Sequence, residues 1–188
     1  MKVIFLDIDG VLTTANKKWT FDENCVKHLV DIINETDAYI VISSSWRSYD
    51  LEETKLRLIN KFWPESLLYN MFAKFIIPRI IGITPRLGGE RGGEIQNWLN
   101  THDYIDNYVI IDDDSDMLDS QLFHFVETNY EYGLTELEKN YVISILNNIY
   151  IINLLGLNYT IRYEWIKKCE DLPNKYEEIL KYNDLNNE

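Results

Sequence analysis

A chain of 188 residues that is 46% hydrophobic and 13% aromatic can bury a sizeable core, which excludes intrinsic disorder and points to one domain, alone or with a tail. A formal net charge of −13 excludes broad electrostatic adhesion to nucleic acid or to an anionic membrane, and leaves room only for a local basic pocket. Two widely separated cysteines, Cys25 and Cys169, rule out a disulfide framework or a zinc site and fit a reducing cytosol, so the expected location is cytoplasmic.

The first predicted element is Val3 to Leu6, a continuous apolar run ending at Asp7. Such a run suits a strand buried on both faces of a parallel sheet, and it is too short for a signal peptide. Helical spacing follows, with Val26, Leu29, Val30 and Ile33 on one face and Asp22 as the N-cap. Ala38 to Ile42 reads as a second strand, ending in Ser43-Ser44-Ser45. Asp50 should cap another helix, with Leu51, Leu58 and Phe62 sharing a face. From Phe62 to Gly89, Pro64, Pro78 and Pro85 break the chain, which leaves one short strand near Arg79 to Ile83. Gly92 to Asn100 reads as a helix with Ile95, Trp98 and Leu99 inward. Tyr108 to Ile111 is a buried strand stopping at Asp112, and Leu122 to Val126 a further short one. Thr135 to Glu138 has capping-box spacing and opens a late helix. The apolar stretch Tyr141 to Leu157 carries Ser144, Asn147, Asn148 and Asn153, which spoils a membrane span; it reads as buried helix. The expected division is a domain over residues 1–148 and a helical C-terminal extension over 149–188.

Strands alternating with helices imply an α/β fold, a Rossmann-like parallel sheet with helices on both faces. In such sheets ligands bind at the carboxyl ends of the strands. Three predicted strands end in reactive polar residues: Asp7, the serine run 43–45, and Asp112-Asp113-Asp114. The sheet brings them to one edge.

Carboxylates gathered at one site repel, and their pKa values rise unless a cation is present. Oxygen-only ligands without His or Cys favour magnesium over zinc. A carboxylate beside such an ion can attack phosphorus directly, given a nearby acid to protonate the leaving oxygen. Hydroxyls, backbone N–H groups and cations can hold the transferred oxygens, and Ser43 to Ser45, Arg47 and Arg91 are available for this. Taken alone, each motif has a plainer explanation: Asp-Gly is a common turn pair, strand ends often finish in Ser, and Arg47 can simply pair with a surface carboxylate. Trp46 and Trp98 read as core or wall. Arg86, Lys17 and Lys18 read as solvated charges, and His28, His102 and His124 lack ligand spacing.

The chain resembles the haloacid dehalogenase superfamily of phosphatases, with four motifs in order. They are Phe5-Leu6-Asp7-Ile8-Asp9-Gly10-Val11-Leu12, Val41-Ile42-Ser43-Ser44-Ser45, Arg91 before a helix, and Ile110-Ile111-Asp112-Asp113-Asp114-Ser115-Asp116. The phrases Ser44-Ser45-Trp46-Arg47, Arg91-Gly92-Gly93-Glu94-Ile95-Gln96-Asn97-Trp98-Leu99 and Gly133-Leu134-Thr135 resemble phosphatase domains found with RNA-repair proteins and in phage or virus genomes.

The resemblance implies Asp7 as nucleophile and metal ligand. It implies Asp9 as general acid–base and as a metal ligand through its backbone carbonyl. Ser44 is chosen for the phosphate-binding hydroxyl, with Ser43 and Ser45 still open. Ser45, Arg47 and Arg91 complete the phosphate site, and Asp112 and Asp113 hold magnesium with support from Asp116. Arg91 departs from the superfamily's more usual Lys, keeping the charge but changing its shape. There is no room for a large cap domain, so an open site is expected, with a phosphorylated substrate and no membrane partner. A nucleic-acid 3′-phosphate end is the leading substrate, a nucleotide or other small phosphate the alternative, and a non-catalytic binding module the reading from another class.

Overall fold

The computed structural model describes residues 1–17, 20–62, 64, 66–154 and 157–162. The chain divides into two units, residues 1–146 and 147–188. The first is built on a five-stranded parallel sheet in the order β3-β2-β1-β4-β5. Its strands are β1 (Lys2–Leu6), β2 (Tyr39–Ile42), β3 (Ile80–Ile83), β4 (Asn107–Asp112) and β5 (Phe125–Glu127).

β1 lies at the centre, and Val3, Ile4, Phe5 and Leu6 are fully buried, as a continuous apolar run requires when both sheet faces are covered. The pleat sends alternate side chains to opposite faces. Val3 and Phe5 join Val41, Ile110, Ile95 and Trp98 in one cluster, which sets α4 (Arg91–Leu99) on that face. Phe5 meets the edge of Trp98 with ring centroids 5.4 Å apart. Truncating a ring buried this way typically costs about 3–5 kcal/mol. α1 (Glu23–Thr36) packs on α5 (Glu136–Leu146), and α5 packs on β4 and β5. Between β2 and β3 lie α2 (Leu51–Ile59) and the short α3 (Leu67–Met71).

The caps follow the residue chemistry. Asp22 accepts from the N–H groups of Asn24 at 2.8 Å and Cys25 at 3.4 Å, and Asp50 accepts from Glu53 N–H at 2.8 Å. At the start of α5, Glu138 accepts from Thr135 N–H at 3.0 Å, the capping box. Leu122 falls in a 3-10 turn (Asp119–His124), so β5 starts later than expected.

The expectation of helix beyond 149 is corrected. α5 ends at Leu146, and β6 (Ile149–Leu154) pairs antiparallel with β7 (Leu157–Arg162). Asn148 has φ 58, a left-handed conformation that Asn tolerates and that stops a helix. Ile149-Tyr150-Ile151-Ile152 and Tyr159-Thr160-Ile161 are β-branched and aromatic, which favours strands. The rest of the expected helical extension lies outside the described residues.

No large cap domain occurs among the described residues. Among the described residues, the connection from β1 to α1 carries one helical turn, the 3-10 turn Ala15–Lys17. No described helix is long and apolar enough to cross a membrane.

Candidate active site

Strand register assembles the site. Leu6 pairs with Ile42 on one side and Ile111 on the other, and Ile42 pairs with Ile83. The next residues, Thr84, Ser43, Asp7 and Asp112, therefore form one row at the carboxyl edge. Main-chain bonds continue the ladder into it, with Ser43 N–H donating to Leu6 O at 2.9 Å and Asp7 N–H to Ile111 O at 3.0 Å. Strand order reverses between β1 and β4, where ligands bind in open α/β sheets. Asp7 and Asp112 flank that point.

Asp7 is 5% exposed and Asp112 is 1% exposed. Arg91 Nη1 lies 3.0 Å from Asp7 Oδ1 and 3.6 Å from Asp112 Oδ2. A cation at a helix start opposes the helix dipole, and these two carboxylates supply the compensation. Burial pushes the Asp7 carboxyl up to about 6, against the opposing charge of Arg91 and a hydrogen bond from Ser44. Burial and the neighbouring Asp7 charge push Asp112 up to about 7. Asp113 is also raised, by burial first.

Asp7, Asp112 and Asp113 each offer an oxygen within 4.8 Å of the others. Asp112 Oδ1 accepts from Asp114 N–H at 3.0 Å, whereas Oδ2 is buried without a hydrogen bond. A buried carboxylate oxygen with no hydrogen bond, crowded carboxylates with raised pKa values and an all-oxygen donor set together fit a hard divalent cation such as magnesium. Gly10 has φ +66, and a Cβ there would overlap the Asp113 carboxylate, so the turn after Asp9 needs glycine to admit that carboxylate. Thr128 fixes the turn from behind, donating from Oγ1 to Gly10 O at 2.8 Å.

Asp9 faces different partners. Trp46 Nε1 donates to Asp9 Oδ2 at 2.8 Å, and Thr13 Oγ1 donates to Oδ1 at 3.3 Å. Its carboxylate lies outside the three-aspartate group.

The three serines diverge. Ser44 is fully buried and bonds Asp7; Ser43 is buried and lies 3.5 Å from Thr84 Oγ1; Ser45 is exposed. Arg47, expected at the phosphate, is 6% exposed and engaged elsewhere: Nη2 lies 2.8 Å from Glu94 Oε2, and Nη1 donates to Thr84 Oγ1. Glu94 is one turn along α4 from Arg91, so this buried pair ties the loop after β2 to the Arg91 helix. Asp116 caps that helix, accepting from Arg91 N–H at 2.8 Å, and lies outside the three-aspartate group. Of the residues expected to be solvated, Arg86 is exposed, although it donates to the carbonyls of Ser45 and Arg47, and Lys17 pairs with Asp22 at 2.8 Å; Lys18 lies outside the described residues. The three histidines bond main-chain carbonyls of Leu134, Trp98 and Tyr108.

Trp46, Thr13, Glu94 and Thr84 are the functional candidates that sequence reasoning did not find. Trp46 carried one signal: an indole N–H that is buried must find an acceptor, and a carboxylate after the neighbouring strand is within reach.

The family model for the HAD domain in Swiss Army Knife RNA repair proteins matches residues 3–138. The chain belongs to that family. The match spans β1 through the start of α5, so every residue of the row and of the acidic group falls inside the HAD domain. No curated protein and no solved structure matches the chain.

Proposed function

We propose that this HAD domain is a magnesium-dependent phosphomonoester hydrolase that forms an aspartyl phosphate on Asp7, with a nucleic-acid 3′-phosphate end as substrate. One observation carries the reaction class. A buried carboxylate, Asp7, stands at the switch point 3.0 Å from a guanidinium, beside a second carboxylate, Asp9, held by separate neutral donors. The substrate class is supported by the family's description as an RNA-repair domain and by the small connection after β1, which suits a bulky substrate.

In the first step an Asp7 oxygen attacks phosphorus and the bond from phosphorus to the leaving oxygen breaks. Asp9 gives its proton to that oxygen. Water then attacks the phosphorus while Asp9 takes back a proton, the Asp7–phosphorus bond breaks, and inorganic phosphate leaves. Ser44, Ser45 and Arg91 hold the phosphoryl oxygens, with Arg91 balancing their charge. Arg47 contributes by tying the serine loop to Arg91's helix. Asp7, Asp112, Asp113 and the Asp9 carbonyl are the residues that would hold magnesium, which when bound offsets repulsion between Asp7 and the incoming anion.

The test is phosphate release from 3′-phosphorylated oligonucleotide, 5′-phosphorylated oligonucleotide and mononucleotide, with magnesium or with chelator. Release is expected only with magnesium, fastest from the 3′-phosphorylated oligonucleotide, and lowered at least about 10³-fold in Asp7→Asn. Activity that survives chelation or Asp7→Asn sinks the reaction class. A preference for free mononucleotides sinks only the substrate assignment.

A further inference from the structure

We propose that Trp46 is a positioning residue for proton transfer: its indole N–H, assisted by the Thr13 hydroxyl, holds the Asp9 carboxyl where it can reach the leaving oxygen. The proposal rests on the reading of Asp9 as the acid–base group and adds a residue that the reading does not contain.

Trp46 is 5% exposed and fixed on several sides. Its ring lies 5.7 Å from that of Phe21, which in turn stacks on Phe62 at 4.8 Å and meets Phe72 at 5.3 Å. Lys61 Nζ is 4.8 Å from the indole centroid. An indole clamped this way has little rotamer freedom, so the direction of its N–H is set by the fold. That N–H points at Asp9 Oδ2 from 2.8 Å. Asp9 itself is on the turn that Gly10 closes with a positive φ, a segment whose carboxylate needs outside groups to fix it. Trp46 and Thr13 take one oxygen each.

The same loop also touches the nucleophile. Trp46 N–H donates to Ser44 Oγ at 3.3 Å, and Ser44 bonds Asp7. One short segment therefore sets the position of the attacking carboxylate through Ser44 and of the proton-carrying carboxylate through Trp46. Misplacing a reacting group by a fraction of its working distance removes much of its contribution.

A group that only positions the acid matters in proportion to the leaving oxygen's need for a proton. The experiment compares kcat/KM on two substrates, because kcat/KM reports the first chemical step. One is glycerol 2-phosphate, whose alkoxide must be protonated, and the other is dinitrophenyl phosphate, whose phenolate departs unaided. Trp46→Phe keeps a ring in the aromatic cluster and removes the N–H. It is expected to lower kcat/KM on glycerol 2-phosphate about 10–100-fold, part of the roughly 10²–10⁴-fold worth of general acid catalysis. On dinitrophenyl phosphate it should change kcat/KM by less than about threefold. Thr13→Val removes the other donor without an indole-sized gap and should show the same asymmetry, about 3–10-fold, so it carries the test if Trp46→Phe does not fold.

Equal losses on both substrates would mean that Trp46 only supports the fold, and no loss on glycerol 2-phosphate would mean that Asp9 does not depend on it; either overturns the proposal. Failure of the underlying reading looks different. In that case wild type fails on both substrates, or Asp9→Asn lacks the asymmetry.

Discussion

Asp7 and Asp9 are two residues apart and live in opposite surroundings. Asp7 is buried between a guanidinium and two further carboxylates, and its pKa is set by burial against charge. Asp9 is half-buried, meets two neutral donors and stands outside the acidic group. The difference gives one turn two carboxylates in two environments, which supports the two tasks proposed for them. A charge-compensated, desolvated oxygen suits attack on phosphorus, and a hydrogen-bonded, partly open one suits carrying a proton to and from a leaving group.

Removing Arg91 breaks this contrast most severely, because Asp7 then keeps its like-charged neighbours and loses its counter-charge. Arg91→Ala is expected to lower kcat about 10²–10³-fold, the usual cost of losing one preorganised stabilising group. Arg91→Lys should fall between, since it restores the charge but not the planar shape of the guanidinium whose Nη1 meets both Asp7 and Asp112. Steady-state kinetics on any accepted substrate measures both.

A second prediction concerns the acidic side in the absence of metal. Asp7 and Asp112 titrate at about 6 and about 7 in the folded chain, above the ordinary carboxylate value of 3.8. Between roughly pH 4 and pH 7 the folded state therefore binds protons that the unfolded chain has released, and stability contributed by these groups falls as pH rises through that window. In chelator, the Tm of the wild type should drop from pH 5 to pH 7.5 by roughly 5 °C or more relative to Asp112→Asn, in which one of the two groups no longer titrates. Added magnesium should raise Tm more at pH 7.5 than at pH 5, because it binds the ionised cluster. Thermal melts at matched ionic strength decide it; a magnesium effect independent of pH would count against the cation site.

The third prediction probes the turn that separates the two carboxylates. Gly10→Ala places a side chain at φ +66 and into the Asp113 carboxylate. The backbone cost is about 1–3 kcal/mol, and the displaced Asp113 should weaken magnesium affinity. A denaturant melt gives the first and a magnesium titration of activity the second.

Most of the sheet was legible because its signals are local. Val3 to Leu6, Ala38 to Ile42 and Tyr108 to Ile111 are uninterrupted apolar runs, and Asp22 and Asp50 stand where N-caps belong. The Asp7 and Asp112 grouping was legible because strand ends in a parallel sheet converge by rule, and Arg91 was added to it by the motif order of the family resemblance. Three other features were not. The Trp46–Asp9 bond depends on which way a loop turns after β2, and the Arg47–Glu94 pair on the approach of that loop to α4. Neither leaves a periodic trace. The β6–β7 hairpin was missed because the periodicity of a short apolar run does not by itself separate helix from strand, although its β-branched and aromatic residues favour strand, and the stop at Asn147-Asn148 turns on one left-handed residue.

The smallest expected effect separates two adjacent hydroxyls. Ser44 is buried against Asp7, and Ser45 is exposed on the same loop. Ser44→Ala removes a hydrogen bond that favours the ionised Asp7 and a hydroxyl proposed to hold phosphate, so kcat/KM should fall about 10-fold or more, in line with roughly 1.5–3 kcal/mol for a bond to a charged group. Ser45→Ala leaves the loop's main chain untouched, and its carbonyl still accepts from Arg86 at 3.3 Å. It should cost no more than about threefold, mostly in KM, because an exposed hydroxyl exchanges a phosphate contact for one with water. If the two alanines ranked the other way, the phosphate would have to approach from the solvent side of the loop rather than over Asp7. The row of strand ends would then mark the proposed nucleophile without marking the phosphate seat.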